Sequence, residues 1–229
     1  MILQLKRKEI FKHKKIIASE IKFIQQAIFD EDILGFCESE VEKNEYLERF
    51  DSINLDASKV NNFNKLIGLD HFEITTYVKK LSEKLIELFN YLNATNFYII
   101  SHLKIDFFGN LKNKYKPLVK AYQKLEIIVG KATYNEAFEI NTSSLKEFLE
   151  ILFWTSRCDP STAEYVFIFD KEERFQFHLC KYGNIHLTEY NNELLSKELI
   201  EKSDLKLIEG DEYDKFGTEG KIEGRKLKL

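Results

Sequence analysis

The residues best suited to chemistry lie close together near the end of the chain. Alternation over residues 174–181 sets Gln176, His178 and Cys180 on one side of a strand and Phe175, Phe177 and Leu179 on the other. A second β-like run, 185–190, follows Tyr182-Gly183-Asn184. If those three residues form a hairpin loop, Lys181 faces Ile185, Cys180 faces His186 and Leu179 faces Leu187. This register keeps apolar opposite apolar. It gathers His178, Cys180, His186, Thr188 and Tyr190 on the other face, with Tyr182 in the loop. Two imidazoles and a thiol supply three ligands of a zinc site, with Cys158 or water as a fourth. The spacing matches no standard zinc module, and no paired-cysteine knuckle is present. The expectation is therefore no metal and no cofactor, and a polar, tyrosine-bearing face made of these six residues that contacts a partner protein. A metal-dependent enzyme using the same hairpin is the alternative.

Other chemistry is harder to assemble. His102, Lys104 and Asp106 fall two apart on one side of a strand-like run, but about 13 Å separates the histidine from the carboxylate along such a strand, so they cannot touch. The chain has no glycine-rich phosphate loop, nucleophile elbow, paired-histidine metalloprotease helix or EF-hand loop. Carboxylates are plentiful, and nothing selects two of them for acid–base work.

Charge is segregated rather than excessive. The formal net charge is -4, yet lysines and an arginine gather at Lys6, Arg7, Lys8, Lys12, Lys14 and Lys15, and again over 112–124 at Lys112, Lys114, Lys116, Lys120 and Lys124. Carboxylates gather at Asp30, Glu31, Asp32, Glu38, Glu40, Glu42, Glu45 and Glu48, and again at Glu198, Glu201, Asp204, Glu209, Asp211, Glu212 and Asp214. A nucleic-acid-binding protein could use the 112–124 segment, but a dedicated one is basic overall. Solvated helix faces and loops account for both sets more simply.

The elements that must position these residues can be read from periodicity. Ile10, Ile17, Ile21, Ile24 and Ile28 line one helical stripe. The acidic run 38–51 interrupts it, and a shorter helix is expected from Asp56 to near Gly68, where glycine would close it. Asp70 and Glu73 suggest a capping box ahead of a helix carrying Ile74, Val78, Leu81, Leu85, Leu88 and Leu92. The period then changes to two, giving a long strand from Phe97 to Phe107. Residues 125–129, followed by Gly130-Lys131, read as a strand entering a tight turn, with its partner ending near Ile140. Ser144 and Glu147 begin a short helix through Leu145, Phe148, Leu149, Leu152 and Phe153. Three strands, 164–169, 174–181 and 185–190, form a meander, and a helix over 192–200 closes the unit. Helix followed by antiparallel strands occurs twice, so duplication is conceivable, but residue similarity between the halves is thin.

The fold class expected is α+β, an antiparallel sheet of long strand, hairpin and C-terminal three-strand meander packed by amphipathic helices, with a helical N-terminal region. Residues 1–68 form that region, 69–206 the main domain, and 207–229 a charged peripheral tail. The tail contains Ile222-Glu223-Gly224-Arg225, which resembles a protease site used in expression vectors. No apolar run reaches the ~18 residues of a membrane span. The basic cluster follows the first apolar residues rather than preceding them, opposite to a secretory signal. Cys37, Cys158 and Cys180 are odd in number and far apart, which suits a reducing compartment, and a cytoplasmic location is expected. With no catalytic residues to name, the sequence points to a non-enzymatic protein-binding module whose contact surface is the polar, aromatic face of the meander with the neighbouring acidic clusters. A toxin-neutralising, immunity-type protein with a basic toxin or enzyme as its target is the particular form considered. Nucleic acid and membrane are not expected partners.

Overall fold

A computed structural model describes residues 1–57, 60–210, 214, 216–217 and 222–225. In chain order the elements are β1 (Ile2–Leu5), α1 (Arg7–His13), α2 (Lys15–Ile28), α3 (Ile33–Phe36), α4 (Glu40–Glu48), β2 (Asn62–Gly68), α5 (Ile74–Tyr91) and β3 (Asn96–Ser101). Then come α6 (Lys116–Val129), β4 (Ala137–Asn141), α7 (Thr142–Cys158), β5 (Val166–Asp170), β6 (Phe175–Leu179), β7 (Ile185–Tyr190), α8 (Lys197–Lys202) and β8 (Lys206–Leu207). The strands form one sheet of eight, ordered β1-β4-β3-β5-β6-β7-β2-β8, and every pairing is antiparallel. This is an α+β fold. No helix among the described residues is long and apolar enough to cross a membrane.

Alternation along the strands divides the core in two. On one face Phe97, Ile99, Phe138, Ile168, Phe175, Phe177 and Leu187 pack with the apolar stripes of α5, α6 and α7. On the other, Tyr98, Ile100, Phe167, Phe169 and Tyr190 pack with Ile10, Phe11, Ile17 and Ile21 of α1 and α2. Phe97 and Tyr98 are neighbours in β3 yet belong to opposite cores, as period-two geometry requires.

Several elements differ from the sequence expectation, each for a local reason. The helix expected through Ile10 and Ile28 is two, broken at Lys14, whose backbone is extended. Glu173, in the β5–β6 turn, accepts hydrogen bonds from the amides of Ile16 and Ile17 at 2.8 and 3.1 Å and so caps the second helix from outside. The helix expected over 56–68 is strand β2, drawn into the sheet by β7 along Asn62↔Tyr190 to Ile67↔Ile185. Helix α5 starts at Ile74, and no side chain caps it. The long strand expected from Phe97 to Phe107 stops at Ser101. There the hydroxyl donates to the Leu103 carbonyl at 2.6 Å, and the Arg7 guanidinium takes the Ser101 carbonyl at 2.6 Å, which turns the chain away from its neighbour.

The strand expected over 125–129 is the last turn of α6, and Gly130 is its left-handed cap (φ 79°) rather than a hairpin residue. Leu118, Ala121, Tyr122, Leu125 and Val129 form its buried stripe. Helix α7 runs over Thr142–Cys158, longer than expected, and its first turn lacks the predicted side-chain cap. Helix α8 is shorter and later than the expected 192–200, and Ser196 caps it by accepting from the Leu199 amide.

Of the C-terminal acidic run, Asp211 and Glu212 lie outside the described residues. Phe216 packs edge-on to Tyr77, 4.7 Å between ring centroids, and lies under the Arg157 guanidinium. The carbonyls of Glu223 and Gly224 accept from Cys158 and Asn113. Burial raises the Cys158 thiol to about 12, so it stays protonated.

Candidate functional site

The β6–β7 hairpin is closed by five residues rather than three. The Cys180 amide donates to the Asn184 carbonyl at 3.0 Å and the Gly183 amide to the Cys180 carbonyl at 2.9 Å. Gly183 has a left-handed φ of 87°, and a Cβ there would stand 2.8 Å from the Phe216 ring and 3.0 Å from that of Tyr77. The longer loop moves the register by two residues, so His178 faces His186, Leu179 faces Ile185 and Phe177 faces Leu187. A two-residue shift preserves the faces, so the apolar side still meets the core. The pairing of Cys180 with His186 and of Leu179 with Leu187 is replaced.

The two imidazoles stack, with centroids 4.6 Å apart and planes 8° from parallel. Tyr165 and Phe167 each present an edge to His178 at 5.3 Å. Burial pushes the His178 imidazole down to about 3, helped by His186 and then His102, so it is neutral near pH 7. A metal ion takes an imidazole lone pair in the plane of the ring, and two parallel stacked planes share no such point. No group of three histidine, cysteine, aspartate or glutamate side chains among the described residues is arranged to hold a metal ion. The hairpin therefore does not fit the zinc alternative.

Beside the stack lies a cleft of 420 Å³ between the end of α7, the loop 159–165 and the hairpin, and it brings His178, Cys180, Tyr182 and His186 together. Its floor is fixed by Asp159, which is buried and accepts from the Asn110 amide, the Tyr122 hydroxyl and the Ser161 amide. Gly109 permits this approach, since a Cβ there would stand 2.6 Å from the Asp159 carboxylate. His178 Nδ1 and Ser156 Oγ have no hydrogen-bond partner among the described residues, and both atoms are sealed from solvent.

The remaining two residues of the expected face lie elsewhere. Thr188 sits on a polar rung with Gln176 and Asn64, donating to Asn64 at 2.9 Å. Tyr190 is 3% exposed, within the core under α1 and α2, so its hydroxyl is not on the surface. His102, Lys104 and Asp106 also have structural roles. The His102 ring bonds the Tyr165 carbonyl, the Lys104 amide bonds Arg49, and Asp106 accepts from the amides of Phe108 and Tyr134.

A more distinctive surface is the arm built by residues 30–48. Ser39 caps α4 by accepting from the Glu42 amide at 3.2 Å, and the Glu42 carboxylate reaches back to the Glu38 amide at 2.7 Å. An aromatic trio, Phe29, Tyr46 and Phe50, secures the root, with centroids 5.0 to 5.8 Å apart. Beyond that root, no residue of α3 or α4 is buried. Phe36 is 82% exposed and Val41 66%, and Ile33 and Leu47 also face water. Around them stand eight carboxylates against one lysine, Lys43, which pairs with Glu40. The acidic run is evident in the sequence. The Ser39/Glu42 capping pair is the signal that would have placed a helix there.

The basic segment falls on the loop before α6 and on its first turns. Lys124 pairs with Glu150 at 2.5 Å, while Lys112, Lys114, Lys116 and Lys120 meet no carboxylate among the described residues. Comparison of the chain with known protein families, curated proteins and solved structures finds no match.

Proposed function

We propose that this α+β protein is a non-enzymatic protein-binding module, with the acidic arm of residues 30–48 as its contact surface and a basic protein as its partner. One observation carries the reading. The arm has a defined, capped helix, yet no residue of α3 or α4 is fully buried, and large apolar side chains stand exposed among eight carboxylates. Exposed apolar groups rimmed by charge are the composition of an interface, in which a few anchors supply affinity and the charges supply steering and discrimination. Phe36 and Val41 are the anchors and the carboxylates select a cationic target. Neutralising a basic toxin or enzyme, as immunity-type proteins do, is one form this binding takes. The hairpin residues His178, Cys180, Tyr182 and His186 serve as a secondary contact beside the cleft.

The test is capture from native host cells by the full chain and by a Phe36→Ser, Glu40→Lys, Glu42→Lys variant, followed by titration of the purified partner. The expected result is a basic protein bound by the unaltered chain and weakened at least a hundredfold by the triple change. Equal binding by both chains, or a partner that is not basic, would overturn the proposal.

A further inference from the structure

The segment 111–123 forms an open groove of 630 Å³ whose apolar floor comes from Leu111 and Val119 and whose rim carries Lys112, Lys114, Lys116 and Lys120. None of these four lysines is neutralised by a neighbouring carboxylate among the described residues. They surround the start of α6, which has no acidic residue in its first turn and no side-chain cap, so the helix dipole adds to their mutual repulsion. The groove fits an acidic segment carrying apolar side chains better than a phosphodiester backbone, which has nothing apolar to lay on Leu111 and Val119. The chain itself has such a segment in residues 30–48, where Phe36 and Val41 stand exposed among carboxylates of which Glu40 alone has a cationic partner among the described residues.

We infer that the acidic arm of one copy docks into the lysine groove of a second copy, with Phe36 or Val41 over Leu111 and Val119. This rests on the arm being a docking element, as proposed above. It adds that the free protein occupies its own binding surface through self-association, which a basic partner must displace. Because arm and groove are different surfaces, the contact is heterologous, and it extends beyond two copies unless the geometry closes. Attraction of this kind is screened as the Debye length falls from about 30 Å at 0.01 M salt to about 3 Å at 1 M.

Sedimentation of the full chain tests this across salt and protein concentration. The expected result is a weight-average mass at least double the 27.1 kDa monomer in low salt, returning to the monomer at ~0.5 M salt. Lys112→Glu with Lys120→Glu, and separately Glu40→Lys with Glu42→Lys, should each abolish the association, and mixing the two variants should restore it as a mixed complex. All four positions are exposed, so unchanged melting temperatures show that both variants fold. A chain monomeric at every salt, or association that survives either variant, or no recovery on mixing, overturns the inference. The groove variant retains an intact arm, so its capture of the basic partner tests the proposed function independently of self-association.

Discussion

The charges around Arg7 and those on the acidic arm are treated in opposite ways. Arg7 is fully buried, and every part of its guanidinium is engaged: a two-pronged pair with Asp51 at 2.8 and 2.9 Å, the carbonyls of Ser101 and Leu103, and the Ser101 hydroxyl. Gln25 extends the network by donating to Asp51 and the His102 carbonyl and accepting from both the amide and hydroxyl of Ser52. In the arm only Glu40 has a cationic partner among the described residues. A buried charge must be satisfied internally because nothing else can solvate it. An exposed charge meets no such demand, so its arrangement is free to serve something outside the chain. Inside, pairing reports on folding, and outside, an unpaired charge carries no such constraint.

Substitutions can break that contrast, and the largest effect belongs inside. Arg7→Ala leaves Asp51 and two backbone carbonyls without their partner and should cost about 3–5 kcal/mol in urea unfolding. If it costs less than 1, the network is not integral to the fold. Glu189 comes next. It is fully buried, pairs with Lys65 and accepts from the amides of Leu194 and Leu195, both at 2.7 Å. Glu189→Gln keeps the shape but loses the charge, and should cost about 2–3 kcal/mol by the same measurement.

His178 gives a smaller effect that depends on pH. Its folded pKa lies near 3, below the ~6.5 of an unfolded histidine, so its contribution is complete above pH 6.5 and declines as the pH falls towards 3. Between pH 7 and 5 the loss should be about 1–2 kcal/mol, and His178→Phe should remove that part of the slope when urea midpoints are compared at the two pH values. Tyr190 should give a change of opposite sign. Its hydroxyl is buried without a partner among the described residues, so Tyr190→Phe should be neutral or stabilise by up to about 1 kcal/mol in thermal melts. The smallest effect is on the arm, where Phe36→Ser should change stability by less than about 0.5 kcal/mol while weakening partner binding. A large destabilisation there would mean that the arm is structural and the contrast false.

The sequence was most legible where a single period governed an element. The stripe from Ile74 to Leu88 and the alternation from Phe175 to Leu179 both appear as read, because each presents one face to one core. It was least legible where a distant residue decides. Nothing near Lys14 announces that Glu173 will cap the next helix, and nothing near Asn62 announces β7 as its partner. Ile127, Ile128 and Val129 resemble a strand locally, and only the longer stripe from Leu118 shows the helix, with Ile127 left on its outer side. The cleft was half legible. Alternation correctly grouped His178 and His186, but the loop length that sets their register depends on Gly183 fitting beneath Phe216 and Tyr77.

The position of β2 between β7 and β8 has a consequence for how the protein is made. Asn64 and Thr188, bonded across that pairing, are 124 positions apart in sequence. At about 5–20 residues per second, a ribosome needs several seconds to a few tens of seconds to deliver β7 after β2 has emerged. Throughout that interval β2 has neither of its neighbours, and closing so long a loop is intrinsically slow. The early chain must wait for its partner, so conditions that slow translation should lengthen the time for which a strand with an unpaired edge is open to aggregation.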